Sequence, residues 1–251
     1  MTEGEWLACP HPTPMLDFLQ GRVSNRKLQL LACACCRRLL GLFPNAAIWQ
    51  AVEFSAQDAD QLASPEQWME AERAVASWLN AHSTRHGSCE PTRGEASAVR
   101  TAHALTERRA MTRSSLAKYA ARDARRAVYE AANDRRAIQR AAAEDVVRVA
   151  RATWQAAQAA YEAERRAQAA LLRDVIGNPF HAVVPDPTWQ RPEVAVFAEL
   201  IYERQAFERL GELGELLEEV GCGDSSLLAH CREGGEHVRG WWAIDAILGH
   251  P

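Results

Sequence analysis

Lysine is almost missing from this chain: Lys27 and Lys118 are the only two among 29 Lys and Arg residues. Such a bias toward arginine reflects a GC-rich genome and by itself points to no function. Aromatic residues are also scarce, at 7%, although eight residues are tryptophan. No apolar run approaches the ~18 residues of a membrane span. The opening "MTEGEWLACPHPTP" has neither a basic n-region nor an apolar h-region, so no secretory signal is read. The chain is therefore expected to be soluble and cytoplasmic. Its seven cysteines are odd in number and clustered, which favours a reducing compartment over a disulfide framework. Also lacking are a nucleotide-binding glycine loop, Gly-x-Ser-x-Gly, His-Glu-x-x-His and paired Glu-x-x-His motifs. Nothing in the motifs supports an enzyme, and no cofactor is expected.

What is present is an ordinary soluble composition, 47% hydrophobic and 25% charged over 251 residues, enough for a sizeable core. The net charge of -4 is unevenly spread. Residues 92–173 carry 17 Lys and Arg against 9 Asp and Glu, whereas residues 186–251 carry 5 against 13. That polarity is the strongest physical feature of the sequence.

Nearly every segment reads as helix, and no strand-period run stands out. Ser24 is placed to cap a helix from Asn25 to about Leu42. Ser64, Pro65 and Gln67 form a start signal with a capping box, and Thr92 with Glu95 forms a second. Between Gly94 and Gly177 there is neither glycine nor proline. This Ala/Arg/Glu-rich tract is too long for one helix, and breaks are expected near 111–115 and 132–134. Its bulky apolar positions are thin, so these helices either pack closely on small residues or project as a hairpin or arm. "GNPFHAVVPDPTWQRP" (177–192) marks a boundary. Short helices follow at about 193–210, 211–220, 225–232 and 237–248. The expected fold is all-α, a multi-helix bundle. Its expected segments are 1–91, the long helices of 92–176, and a 177–251 segment packing with the N-terminal one.

"LLACACCRRLL" (30–40) gives Cys33 and Cys36 the Cys-x-x-Cys spacing, with Cys35 between. Inside a helix, however, Leu28, Leu31, Ala32, Cys35, Leu39 and Leu42 share one face, and the cysteines read as small core residues. "GCGDSSLLAHCREGGEHVRGWW" offers Cys222, His230, Cys231 and His237 as metal donors, although adjacent His230 and Cys231 point about 100° apart on a helix. A buried polar network is the alternative, with His237, Arg239 and Asp245 as a candidate polar pocket. In the basic tract, Arg125, Arg126, Arg135, Arg136, Arg140, Arg148 and Arg151 are candidate phosphate contacts for nucleic acid. Interspersed acids at i±3 and i±4 also make them ordinary surface ion pairs.

The stretches "EWLACPHPTPMLDFLQGRVSNRKLQLLACACCRR", "LLRDVIGNPF", "IYERQAFERLGELGELLEEVGC" and "LLAHCREGGEHVRGWWAIDAILG" together resemble the two ends of a large paralogous family of helical proteins in planctomycete bacteria of the Gemmata kind. The resemblance covers a little over half the chain. It implies a cytoplasmic protein with two fixed ends around a variable helical insert, and it assigns no activity. Many members of that family read Cys where this chain has Trp241, which argues against a metal site needing that position. The functional expectation is a non-enzymatic interaction or scaffold module with a protein partner or self-association. Nucleic-acid binding through the arginine tract and a C-terminal Cys/His metal site are the alternatives.

Overall fold

A computed structural model describes residues 1–43, 45–83, 93–106, 112–133, 141, 145–181, 189, 191–232 and 237–250. Among these residues the structure is all-α, with helices packed on helices and no strand. No described helix is long and apolar enough to cross a membrane. In chain order the helices are α1 (Glu3–Ala8), α2 (Pro12–Phe18), α3 (Asn25–Leu40), α4 (Ala46–Ala59), α5 (Pro65–Ser83) and α6 (Arg93–Thr106). They continue with α7 (Arg113–Ala132), α8 (Val146–Ile176), α9 (Pro192–Arg204), α10 (Leu210–Glu219), α11 (Ser225–Arg232) and α12 (Trp242–Leu248).

The helix starts follow local chemistry. The Ser24 hydroxyl accepts from the Lys27 N–H at 3.2 Å to open α3. The Asn45 carboxamide takes two orphan N–H groups at the start of α4. Ser64 and Gln67 close a reciprocal capping box at 2.9 and 3.3 Å. Thr112 caps α7 and Asn133 ends it, within the two breaks expected in the Ala/Arg tract. The proposed box on Thr92 lies outside the described residues.

The chain divides into two compact units, Pro10–Ala169 and the pair Met1–Cys9 with Ala170–Pro251. Met1–Cys9 groups with the C-terminal helices, and α2 to α5 group with the alanine-rich α6 and α7.

In the Pro10–Ala169 unit, α3 packs on α4 and α7, and α6 packs on α7 and α4. The α6 and α7 faces are largely alanine, with Ala98, Ala102, Ala117, Ala120, Ala124 and Ala127 buried. Small side chains allow close approach: a Cβ on Gly94 would lie 2.7 Å from the Phe43 ring and 2.9 Å from the Ala127 carbonyl oxygen. The two helices thus pack on small residues rather than projecting. By contrast, none of residues 146–156 at the start of α8 is buried. Cys33, Cys35 and Cys36 lie in the core of this unit. Burial pushes the Cys33 thiol up to about 11 and the Cys35 thiol up to about 12, and raises Cys36 well above the usual thiol range. They are inert filling, far from the thiolate that metal or redox work needs. Buried Glu164 is paired with Arg38 at 3.0 Å and accepts from Gln168 at 2.9 Å, and Gln168 in turn accepts from Arg125 at 2.7 Å.

In the other unit, α1 docks on the end of α8. The Trp6 indole donates to the Gly177 carbonyl at 3.2 Å, and the Arg173 guanidinium donates to the Trp6 and Cys9 carbonyls. A core of Trp189, Val194, Ile201, Leu213, Leu217, Leu227, Trp241 and Ile244 joins α9 to α12. Gly177 ends α8 at φ +74°, and a Cβ there would meet the Trp242 ring at 3.0 Å. Both the turn and the close approach therefore require glycine.

Candidate metal centre

Three side chains from distant parts of the sequence meet in the Met1–Cys9/Ala170–Pro251 unit. Asp174 stands on the last full turn of α8, His230 near the end of α11, and His237 in the segment before α12. His237 Nδ1 lies 2.7 Å and His230 Nε2 3.3 Å from Asp174 Oδ1. The Val238 N–H donates to the other carboxylate oxygen at 3.3 Å, fixing its plane. All three ligating atoms lie within 4.8 Å of one another.

The local sequence builds this arrangement. Gly177 stops α8 just past Asp174, so the carboxylate projects from the helix end. Asp224 caps α11 through the Ser226 and Leu227 N–H groups, setting the helix that carries His230. Gly240, at φ +88°, turns the chain so that the Trp241 N–H reaches the Val238 carbonyl. That turn brings the Trp241 ring to 5.3 Å from the His237 ring, while His230 stacks on Trp241 at 5.5 Å. Trp242 lies 5.8 Å from His230 on another side.

The side chains of Asp174 and His237 are each 8% exposed and that of His230 is 27% exposed, so solvent reaches the group past His230. Trp241 is fully buried, and its indole N–H has no acceptor among the described residues.

One carboxylate oxygen facing two imidazole nitrogens is satisfied in the ligand-free state if each nitrogen carries a proton. Ligands each about 2.1 Å from one ion sit ~3.0–3.5 Å apart. The His230–Asp174 separation of 3.3 Å falls in that range, whereas the 2.7 Å His237–Asp174 contact is a hydrogen-bond distance that would have to open to admit an ion. Two imidazoles and one carboxylate form a donor set for borderline divalent transition ions.

The expected donors are only half represented. His230 and His237 come together, but Cys222 and Cys231 lie in the hydrophobic core of this unit instead. Burial raises the Cys231 thiol to about 12, and its Cβ sits 3.0 Å from where a Cβ on Gly214 would be. Helix geometry turns Cys231 away from its neighbour His230, as the 100° offset requires. The residues of the expected polar pocket have these neighbours. His237 belongs to the Asp174 group, whereas Arg239 lies over the Tyr202 ring at 4.8 Å and buried Asp245 accepts from His250 at 3.3 Å.

The arginine candidates scatter. Arg125 is buried and bound to Gln168 and Thr13, which removes it from any solvent-facing phosphate surface. Arg126 pairs with Glu130 and Arg148 with Asp145. Arg151 is exposed, and Arg135, Arg136 and Arg140 lie outside the described residues.

Asp174 was not among the residues singled out by sequence. A signal existed: a carboxylate in the last turn of a helix faces the negative end of the helix dipole and is disfavoured there unless something else holds it. Comparison of the chain with family models, with curated proteins and with solved structures finds no match.

Proposed function

We propose that this protein binds one divalent transition-metal ion, of the Zn²⁺ or Fe²⁺ class, through Asp174, His230 and His237. The observation that carries this reading is the convergence of three ligating atoms within 4.8 Å, from segments 56 and 63 residues apart in sequence. Three protein ligands leave at least one coordination position open, the pattern of catalytic and substrate-binding sites rather than closed structural ones. Two histidines with one carboxylate are also the donor set of ferrous centres. The indoles of Trp241 and Trp242 give the site an apolar wall.

Calorimetric titration of chelator-treated full-length protein with Zn²⁺, Mn²⁺ and, without oxygen, Fe²⁺ tests the reading. One ion per chain is expected for at least one metal. In H230A and H237A the affinity is expected to fall by more than about 100-fold, beyond the 10–100-fold typical of a lost outer contact. Wild-type protein that binds no metal more tightly than an H230A/H237A double variant overturns it.

A further inference from the structure

Each compact unit has an exposed apolar patch, the first flanked by arginines and the second lined by two glutamates and one arginine. The first is on the uncovered start of α8, where Val147 is 72% and Trp154 55% exposed. Separated by seven residues, they stand on one helix face. Arg151 shares that face and Arg148 flanks it, both exposed. The second is a groove of about 580 Å³ between α9 and α12, floored by Val196, Leu200, Ile247 and Leu248. Val196 is 70% and Leu200 37% exposed. Glu199 and Glu203, four residues apart and exposed, run along its side, and exposed Arg204 lines it beside them, leaving the groove a net negative charge.

We propose that a second copy of this chain is the occupant: the Val147/Trp154 stripe of one copy seats in the α9/α12 groove of the next, with Arg148 and Arg151 facing Glu199 and Glu203. The side chains of both patches are exposed. The chemistry of each matches the other in apolar stripe and in sign of charge. Trp and Arg are the side chains that most often anchor an interface when they enter a pocket. The Arg148 pairing with Asp145 is a surface ion pair of little worth and yields to a closer partner. Because the two surfaces differ, the contact is heterologous, and repetition gives a ring or an open chain rather than a two-fold dimer. One helix stripe on one groove is a small interface of the weak, transient class, so ~1–100 µM is the range to search.

Sedimentation velocity of the full chain, from ~1 to ~200 µM, reads the association across that range. The average mass is expected to rise with concentration and to fall again as salt screens the charges. W154A, which removes an exposed ring and leaves the fold intact, is expected to stay monomeric. The charge-reversed variants R148E/R151E and E199K/E203K are each expected to be monomeric alone and to associate when mixed, because reversal on both sides restores complementarity. Milder R148Q/R151Q and E199Q/E203Q variants serve if a reversal disturbs folding, and each is expected to weaken association by roughly 10-fold. Wild-type protein that is monomeric at the highest concentration overturns the proposal. So does association that persists in W154A, or charge-reversed variants that fail to recombine.

Discussion

Asp174 accepts from two imidazoles and one backbone N–H, and it is the residue on which the candidate centre turns. D174N keeps the shape and the Val238 hydrogen bond but presents a neutral amide. The expected outcome is a loss of Zn²⁺ affinity of at least about 100-fold with a helical spectrum unchanged, read by calorimetry and circular dichroism. Metal binding at this site must also release protons, since a nitrogen that binds the ion cannot keep its hydrogen. The affinity of the wild type is therefore expected to fall as the solution is acidified. The two histidines were legible because they stand with Cys222 and Cys231 within one stretch of sixteen residues, all of metal-ligating types. Asp174 was not, because an acid in a charged helix looks like a solvated surface until its burial is known. The cysteines beside the histidines misled for the opposite reason, since Cys serves as readily in a core as at a metal.

At the scale of the helix, the core thiols of α3 and α11 connect packing to pH. Cys33 and Cys231 titrate at about 11 and about 12 in the folded chain, above the usual 9.0, because burial disfavours the thiolate. The unfolded chain loses those protons first. Stability from this source is complete below about pH 9 and is lost as pH climbs toward the folded values. Urea midpoints at pH 7.5, 9 and 10.5 are expected to fall steeply only between the last two, and a flatter profile is expected for C33A. Capping predicts smaller effects: S64A is expected to destabilise α5 by about 1 kcal/mol, seen as a lower urea midpoint. These helices were readable because cap residues, proline placement and apolar period agree along α3, α4 and α5. The fate of the Ala/Arg tract was not. Alanine is an equally good surface and core residue, so composition alone leaves a projecting arm and the close-packed α6/α7 pair equally open.

At the scale of the whole chain, α8 contributes to both compact units in one unbroken helix. Its Glu164 and Gln168 join the network with Arg38 and Arg125, and two turns later Asp174 joins the histidines. Neither role was visible in the charge pattern, which separates a basic middle from an acidic end and is silent about buried pairs within each. A metal ion that binds only the folded chain stabilises it by mass action, by about 2.7 kcal/mol at a hundred times its dissociation constant. The ligands lie at the ends of α8 and α11 and before α12, so the gain falls on the unit formed by Met1–Cys9 and Ala170–Pro251. Hydrogen exchange followed by mass spectrometry, with and without Zn²⁺, is expected to show slower exchange in residues 170–180 and 225–250. Exchange in α2 to α5 is expected to stay the same, because those amides open without breaking the ligand set. Equal slowing in both units would mean that α8 couples their unfolding into one cooperative step. In D174N neither unit is expected to respond to the ion.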